Sequence, residues 1–236
     1  MMKRVLITGS NRGIGFEFVR QYLEDGWRVY ATCRHPTEAD DLLRLGRVYT
    51  ALSIHRLDIT VQEDIMAICE ELHGIPINIL INNAGVYFRK ADSGLSNLHY
   101  DQWRRTLEVN TLGTMHTIES LEGNIDLSQQ DRLVVVLSMS QLGIEVSDRP
   151  ESFYYCSSKA ALNAAMRGLA VELKSRKIGV LLLYPGEVMT RMGPPNGITP
   201  RCSVQGMRKV INDFTITDSG AFFRYDGRVL DALGGS

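Results

Sequence analysis

The sequence predicts an α/β protein built on a doubly wound parallel sheet of about seven strands, with helices on both faces. Short β-branched runs alternate with longer amphipathic stretches along the chain. Two of these runs, Leu133–Leu137 and Val180–Leu183, are apolar throughout. Strands of that kind lie in the middle of a parallel sheet that is covered on both sides. Repeated strand–helix–strand units favour the same architecture.

The predicted elements follow from this alternation. The strands are expected at Arg4–Thr8, Arg28–Thr32, Ser53–Leu57, Ile77–Ile81, Arg132–Leu137 and Gly179–Leu183, with a seventh candidate near the end of the chain. The helices are expected at Ile14–Glu24, Ile65–Leu72, Leu98–Glu119 and Tyr154–Ser175. Thr60, with Glu63 three residues later, predicts a capping box ahead of the second of these helices. The turn-rich segment Gly193–Pro200 is expected to be a loop on the substrate side.

Composition narrows the class of protein. The 236 residues are 44% hydrophobic and 22% charged, and the net charge is −1. We therefore expect one globular domain over residues 1–236, with no attraction to nucleic acid. Apolar runs are too short for a membrane helix, and the four scattered cysteines fit a cytoplasmic protein with reduced thiols. Neither the cysteines nor the histidines have metal-ligand spacing, so no metal site is expected.

A glycine-rich turn, Thr8–Gly15, follows the first strand and opens the first helix. Glycines at such a turn let a pyrophosphate approach the backbone, and the helix N-terminus offers free N–H groups and a positive dipole end. A tight structural turn could use the same glycines, but its position in an alternating chain favours nucleotide binding. The candidate contacts are Gly9, Ser10, Asn11, Arg12, Gly13, Ile14 and Gly15.

The end of the second strand indicates which dinucleotide is bound. An enzyme that uses NAD usually has an acidic residue here, which bonds the ribose 2′-hydroxyl. This chain has Cys33 followed by Arg34 instead, and Arg12 is close by in the glycine-rich turn. A guanidinium suits a 2′-phosphate, so NADP(H) is favoured over NAD(H), although Arg34 could also be an ordinary solvated charge.

Tyr155 and Lys159 are four residues apart near the start of a long predicted helix, so they share one face. A free tyrosine has a pKa of about 10, and a nearby ammonium lowers that pKa toward neutrality. The pair could therefore donate and accept a proton at a carbonyl oxygen. Tyr154 is a competing tyrosine, but it lies five residues before the lysine and off that face.

Ser140 lies just past the fifth predicted strand, at an edge where ligands bind in this architecture. Its hydroxyl could donate to a substrate carbonyl oxygen as negative charge develops there. Ser138 is the alternative, because it is the other serine of Ser138-Met139-Ser140.

Together these motifs resemble the short-chain dehydrogenase/reductase family, which has a Rossmann-like fold. The resemblance rests on the Thr-Gly-x-x-x-Gly-x-Gly turn, the serine before Gly143, the Tyr155–Lys159 pair and three further motifs: Asn82-Asn83-Ala84-Gly85, Asn110 and Pro185-Gly186-Glu187-Val188-Met189-Thr190. Within the family, the chain resembles the C-factor and sniffer-type NADPH-dependent carbonyl reductases. Glu187 stands where those proteins often have tryptophan.

The resemblance implies roles for further residues. It places Asp58, with Ile59 beside it, at the adenine amino group, and Asn83, Ala84 and Gly85 beside the adenosine ribose. From its position alone, Asp58 could equally form a turn ahead of the next helix. The resemblance gives Asn110 a water that links the lysine to solvent. It places Tyr155 and Lys159 at the nicotinamide ribose and substrate, and it assigns the nicotinamide carboxamide to the segment with Pro185, Gly186, Val188 and Thr190.

The implied function is reduction of a small carbonyl substrate by NADPH, with Ser140, Tyr155, Lys159 and Asn110 as catalytic residues. The alternative is a catalytically weak Rossmann protein that senses redox state or signals through protein contacts. A nucleotide-sugar epimerase would need a longer C-terminal region than the one after Thr190. The two longest predicted helices could also pair across a two-fold axis to form a homodimer.

Overall fold

A computed structural model of the chain describes residues 2–88, 98–128, 130–139 and 153–230. Seven strands lie in this part of the chain: β1 (Arg4–Ile7), β2 (Arg28–Cys33), β3 (Leu52–Arg56), β4 (Ile79–Asn82), β5 (Leu133–Leu137), β6 (Gly179–Tyr184) and β7 (Phe222–Arg224). They form one sheet in the order β3-β2-β1-β4-β5-β6-β7, and every neighbouring pair is parallel. The predicted fold class is confirmed.

Helices cover both faces of this sheet. The described helices are α1 (Gly13–Glu24), α2 (Asp40–Val48), α3 (Gln62–Glu71), α4 (Tyr100–Leu107), α5 (Thr114–Asp126), α6 (Phe153–Leu173) and α7 (Pro200–Asp213). On one face, α1, α2 and α7 contribute Phe18, Leu42 and Met207 to an apolar cluster. On the other face, α3, α5 and α6 contribute to a second cluster. Each inner strand is therefore buried on both sides, which explains its continuous apolar sequence.

The predicted helix Leu98–Glu119 is wrong in its bounds and in its regularity. Helical structure begins at Tyr100 and ends at Asp126, and a π-helical turn over Glu108–Gly113 joins α4 to α5. A Cβ at Gly113 would lie 2.7 Å from the Ile59 carbonyl oxygen, so the backbones approach closely at this turn. The periodicity of apolar side chains does not reveal such a contact, so the sequence predicted one continuous helix.

The predicted capping box at Thr60 is also wrong. Helix α3 begins at Gln62, and no side chain bonds its N-terminus. The Thr60 hydroxyl and N–H donate instead to Asp58 Oδ1, at 2.7 and 3.0 Å. The aspartate two residues earlier therefore forms a local turn that competes with the cap.

Helices α2 and α7 were not anticipated from the sequence, although α7 carries a recognisable start. Thr199 caps it by accepting the Cys202 N–H at 3.2 Å, and Pro200 occupies the first helical position. Both are standard signals for a helix N-terminus. The predicted loop Gly193–Pro200 thus ends at this cap, where α7 begins.

The order of the strands determines where a ligand can bind. The chain proceeds from β1 to β2 and β3 on one side, and it then returns to β4 on the other side of β1. A crevice opens where connections depart in opposite directions, outside the carboxyl ends of β1 and β4. The glycine-rich turn and the Asn83–Gly85 motif follow these two strands directly.

Candidate active site

The glycine-rich turn passes close to the segment that follows β4. Gly9 has φ +63° and Gly13 has φ +58°, conformations that favour glycine. A Cβ at Gly9 would lie 2.9 Å from Ala84 Cα, and one at Gly15 would lie 2.5 Å from Asn83 Nδ2. Glycine at Gly9 and Gly15 therefore lets the turn pack directly against the segment after β4.

Asn83 ties the turn to β4. Its Nδ2 donates to Thr8 O and Gly9 O, both at 2.9 Å. In return, the Thr8 hydroxyl oxygen accepts the Asn83 and Ala84 N–H groups at 3.1 and 3.0 Å. These reciprocal bonds hold the glycine carbonyls in place, so the N–H groups at the start of α1 keep a fixed direction.

The other side chains of the turn divide into inward and outward groups. Ser10 is fully buried, and its hydroxyl donates to Thr32 O at 2.9 Å, which ties the turn to β2. Ile14 packs partly against the α1, α2 and α7 cluster. Asn11 is half-buried and Arg12 is exposed at the N-cap of α1. The N–H of Ser10 also donates to Thr32 O at 2.9 Å, so Ser10 holds the turn against β2 from the interior, whereas Arg12 can reach a ligand through its side chain.

The ends of β2 and β3 bring opposite charges together. Arg34 is exposed next to the buried Cys33, and burial raises the pKa of the Cys33 thiol. Burial alone would raise the pKa of Asp58, but hydrogen bonds from Thr60 and the charges of Arg105 and Arg34 lower it below its usual value. Asp58 is therefore ionised and oriented, with Ile59 buried beside it. Arg105, on α4, was not identified from the sequence.

Lys159 lies on α6 with its ammonium group buried. Its Nζ donates to Leu137 O at 2.9 Å and lies 5.8 Å from the centre of the Tyr155 ring. Burial lowers the pKa of Lys159 to about 8, because desolvation disfavours the charged form. A Cβ at Gly85 would lie 3.9 Å from this Nζ. The structure thus brings Tyr155, Lys159 and the segment after β4 together.

Tyr154, the competing tyrosine, is oriented away from this group. Its side chain is 1% exposed and stacks on Trp103, with ring centres 5.4 Å apart. Its hydroxyl oxygen accepts the His99 N–H. Tyr154 therefore serves the packing of α4 on α6, while Tyr155 is half-buried on the other side.

Asn110 projects from the π-helical turn into the interior. Its Oδ1 accepts the Val86 N–H at 2.8 Å, and its Nδ2 donates to Val86 O and to Ser158 Oγ, both at 3.0 Å. Ser158 Oγ in turn donates to Tyr155 O at 2.7 Å. The Asn110 side chain thus links the segment after β4 to the helix that carries Tyr155. Ser158 was not identified from the sequence.

Asn163 is a second polar residue that sequence reasoning missed. It is buried one turn after Lys159, accepts the Ser138 hydroxyl at 2.5 Å, and donates to Met139 O at 3.3 Å. Its spacing of four from Lys159 and eight from Tyr155 was the available signal. Ser138 is thereby engaged in the interior, and Ser140 lies outside the described residues.

The segment after β6 lies against the glycine-rich turn. Gly186 has φ +79°, and Val188 is buried and bridges to Ile198. A Cβ at Gly13 would lie 3.4 Å from Thr190 Cγ2. The Thr190 hydroxyl oxygen accepts the Gly193 and Met192 N–H groups at 3.1 and 3.3 Å, which fixes its position.

The start of that segment is held from two sides. Pro185 O accepts the Ser203 hydroxyl at 2.6 Å, which ties it to α7. Tyr184 donates its hydroxyl to Glu187 Oε1 at 2.6 Å, so the carboxylate at this position has a defined partner.

Metal clusters and membrane-spanning helices are both absent from the described residues. Within them, no group of three His, Cys, Asp or Glu side chains could hold a metal ion. In the same part of the chain, no helix combines the length and apolar character that crossing a membrane requires.

Comparison with known proteins relates this geometry to a family. The sequence model for short chain dehydrogenases matches residues 3–199. A 1-hydroxy-2-glutathionyl-2-methyl-3-butene dehydrogenase from Rhodococcus sp. (strain AD45) is 31% identical, over 97% of this chain and 99% of its own.

Two solved structures of carbonyl reductases have the same fold. An NADPH-bound carbonyl reductase from chicken fatty liver superimposes with a TM-score of 0.87 at 29% identity, over 97% of this chain and 98% of its own. Carbonyl reductase Sniffer of D. melanogaster gives a TM-score of 0.89 at 25% identity, over 98% and 99%.

Proposed function

Because the chain belongs to the short-chain dehydrogenase family, we propose that it reduces a carbonyl group of an aldehyde, ketone or quinone to the alcohol with NADPH. The observation that carries the proposal is the position of Lys159, which lies between the Tyr155 ring and Gly85 beside the crevice at the centre of the sheet. An acid–base pair at that crevice suits hydride chemistry at a carbonyl. The carbonyl reductases of the same fold support this choice.

The residues around the crevice fit a dinucleotide. The glycine-rich turn leads directly into the N-terminus of α1, where a pyrophosphate could accept N–H groups, and no acidic side chain occupies the first turn of that helix. Arg34 and Arg12 would hold the 2′-phosphate, while Asp58 and Ile59 would hold the adenine. The remaining proposed contacts run from the adenosine ribose to the nicotinamide: Asn11, Gly13, Ile14, Asn83, Ala84, Gly85, Pro185, Gly186, Val188 and Thr190. Ser10 would support the turn from the interior without contacting the cofactor.

Bound NADPH would supply the hydride. Tyr155 would donate the proton from its hydroxyl to the carbonyl oxygen, so that the substrate gains one hydride and one proton. The Lys159 ammonium would lower the pKa of Tyr155 and bond the nicotinamide ribose. Ser140 would hold the substrate oxygen, and Asn110 would help to return a proton to Tyr155 from solvent.

The test is a panel of aldehydes, ketones and quinones supplied to the purified protein with NADPH or NADH. We expect NADPH oxidation with at least one carbonyl class and a higher kcat/KM with NADPH than with NADH. Tight NADPH binding without turnover on the whole panel would contradict the proposal and favour the non-catalytic redox sensor instead.

A further inference from the structure

The segment after β4 runs alongside the proposed catalytic pair. Gly85 is opposite Lys159, since its Cβ position is 3.9 Å from the ammonium nitrogen. Two residues later, the Tyr87 ring packs on the Tyr155 ring, with centres 5.0 Å apart and planes at 55°. One short stretch of backbone therefore flanks Lys159 at one end and Tyr155 at the other.

The position of Tyr87 is set by bonds to the residue before it. The Val86 N–H and carbonyl both pair with the Asn110 side-chain amide, at 2.8 and 3.0 Å. Asn110 is fully buried and is held in turn by Ser158 on α6. Val86 also packs against the apolar cluster of α3, α5 and α6. The ring of Tyr87 is thus attached to a backbone that is fixed relative to the helix carrying Tyr155.

The Tyr87 ring lies against the ring of the proposed proton donor. Tyr87 and Tyr155 are both half-buried, so part of each residue remains accessible. A carbonyl oxygen bonded to the Tyr155 hydroxyl would bring its attached group beside this pair of rings. A flat conjugated group paired with an aromatic side chain gains a ring–ring interaction beyond its buried area, whereas a saturated ring has no π system and gains only the packing.

We propose that Tyr87 is a specificity-determining residue, whose ring forms an aromatic wall that favours carbonyl groups on flat conjugated rings over those on saturated ones. This rests on the proposed reductase function, because it assigns a substrate class to the same site. Aromatic pairing contributes enough to change kcat/KM by about threefold to tenfold.

The substitutions that test this are Tyr87→Leu, which removes the ring, and Tyr87→Phe, which keeps it. The substrates are benzaldehyde and cyclohexanecarbaldehyde, which have the same number of carbon atoms and differ in planarity and conjugation. Each protein is described by its ratio of kcat/KM for the two aldehydes, so a change in the folded fraction cancels. We expect Tyr87→Leu to lower this ratio by about threefold to tenfold and Tyr87→Phe to keep it within about twofold.

A binding measurement makes the test independent of turnover. Benzyl alcohol and cyclohexylmethanol are titrated into each protein in the presence of NADPH, with which an alcohol cannot exchange a hydride, and their Kd values are compared. The wild-type protein and Tyr87→Phe should bind the aromatic alcohol more tightly, and Tyr87→Leu should lose that preference.

The outcomes separate the two proposals. The aromatic wall would be overturned if Tyr87→Leu lost kcat/KM equally for both aldehydes, which leaves their ratio unchanged. It would also be overturned if the wild-type protein bound benzyl alcohol no more tightly than cyclohexylmethanol. A wild-type protein that shows the binding preference but reduces neither aldehyde, nor any other carbonyl of the panel, would overturn the reductase function and leave the wall intact.

Discussion

Lys159 contributes a positive charge at the cost of burying it. Its side chain is 7% exposed, and its ammonium has Leu137 O as a partner. Burial lowers its pKa from 10.5 to about 8 in the folded protein. Below pH 8 both the folded and the unfolded chain carry the proton, so folding then includes the full cost of desolvating the charge. Between pH 8 and 10.5 the folded protein releases the proton first, and that cost disappears.

This cost predicts an unusual effect for Lys159→Met, which retains length and removes the charge. We expect the variant to be inactive and, at pH 7, more stable than wild type by roughly 1 to 3 kcal/mol. The lost bond to Leu137 O offsets part of the gain at pH 7. The stability difference should therefore shrink as pH rises from 8 toward 10.5. Urea unfolding at pH 7 and pH 9.5 checks this, and a difference that does not change with pH would contradict it.

Arg34 is the residue on which the proposed NADPH preference depends. Arg34→Ala should raise the KM for NADPH by about tenfold to a hundredfold, since it removes charge-assisted bonds to the 2′-phosphate. The KM for NADH should change by less than about twofold. Arg44→Ala is the matched control, because Arg44 is an exposed arginine on α2 that pairs with Asp41 on the same helix. Equal increases in the KM for NADPH and the KM for NADH would contradict a role for Arg34 in binding the 2′-phosphate.

At the scale of elements, local sequence patterns predicted the regular strands and helices. They did not predict the π-helical turn, which depends on tertiary contacts. The strands and the helix carrying Tyr155 follow from apolar periodicity, because burial imposes that pattern on the sequence. The π-helical turn does not, because it depends on the approach of Gly113 to Ile59 and on the bond between Asn110 and Val86. Both partners of each contact are distant in sequence, and neither alters the local pattern.

The close approach at Gly113 can be tested against a second glycine in the same run of helix. Gly113→Ala should destabilise the protein by about 1 to 3 kcal/mol, because its Cβ would meet the Ile59 carbonyl oxygen. Gly123→Ala, in α5, meets nothing within 4 Å and should stabilise the protein by about 0.5 to 1 kcal/mol. The measurement is the free energy of unfolding in urea for the wild type and for each variant. Similar values for the two variants would mean that the turn tolerates a side chain.

At the scale of the molecule, the sheet explains why distant motifs meet. The glycine-rich turn, the Asn83–Gly85 motif and the Lys159 partner Leu137 follow or end β1, β4 and β5, which are neighbours in the sheet. Their convergence was predictable once a parallel sheet was inferred, because all carboxyl ends lie at one edge. The internal hydrogen bonds of Asn110 and Asn163 could not be predicted, because a single polar residue on a helix gives no indication of its partner.

We expect residues 1–236 to unfold as one cooperative domain. The seven strands share two apolar clusters that extend across the sheet, so no part of it can lose its packing alone. Thermal unfolding followed by circular dichroism and by tryptophan fluorescence should give one coincident transition, and NADPH should raise its midpoint. Two separate transitions would contradict a single domain. The proposed homodimer would be visible as a midpoint that depends on protein concentration.

The central claim is that Tyr155 donates the proton in carbonyl reduction. The most direct measurement compares wild type with Tyr155→Phe in two ways: NADPH affinity by fluorescence titration, and kcat/KM with a carbonyl that the wild type reduces. The account predicts an NADPH Kd within about twofold of wild type and a loss of at least about a hundredfold in kcat/KM, because general acid catalysis is removed while the cofactor site remains. Near-normal turnover by Tyr155→Phe would contradict it.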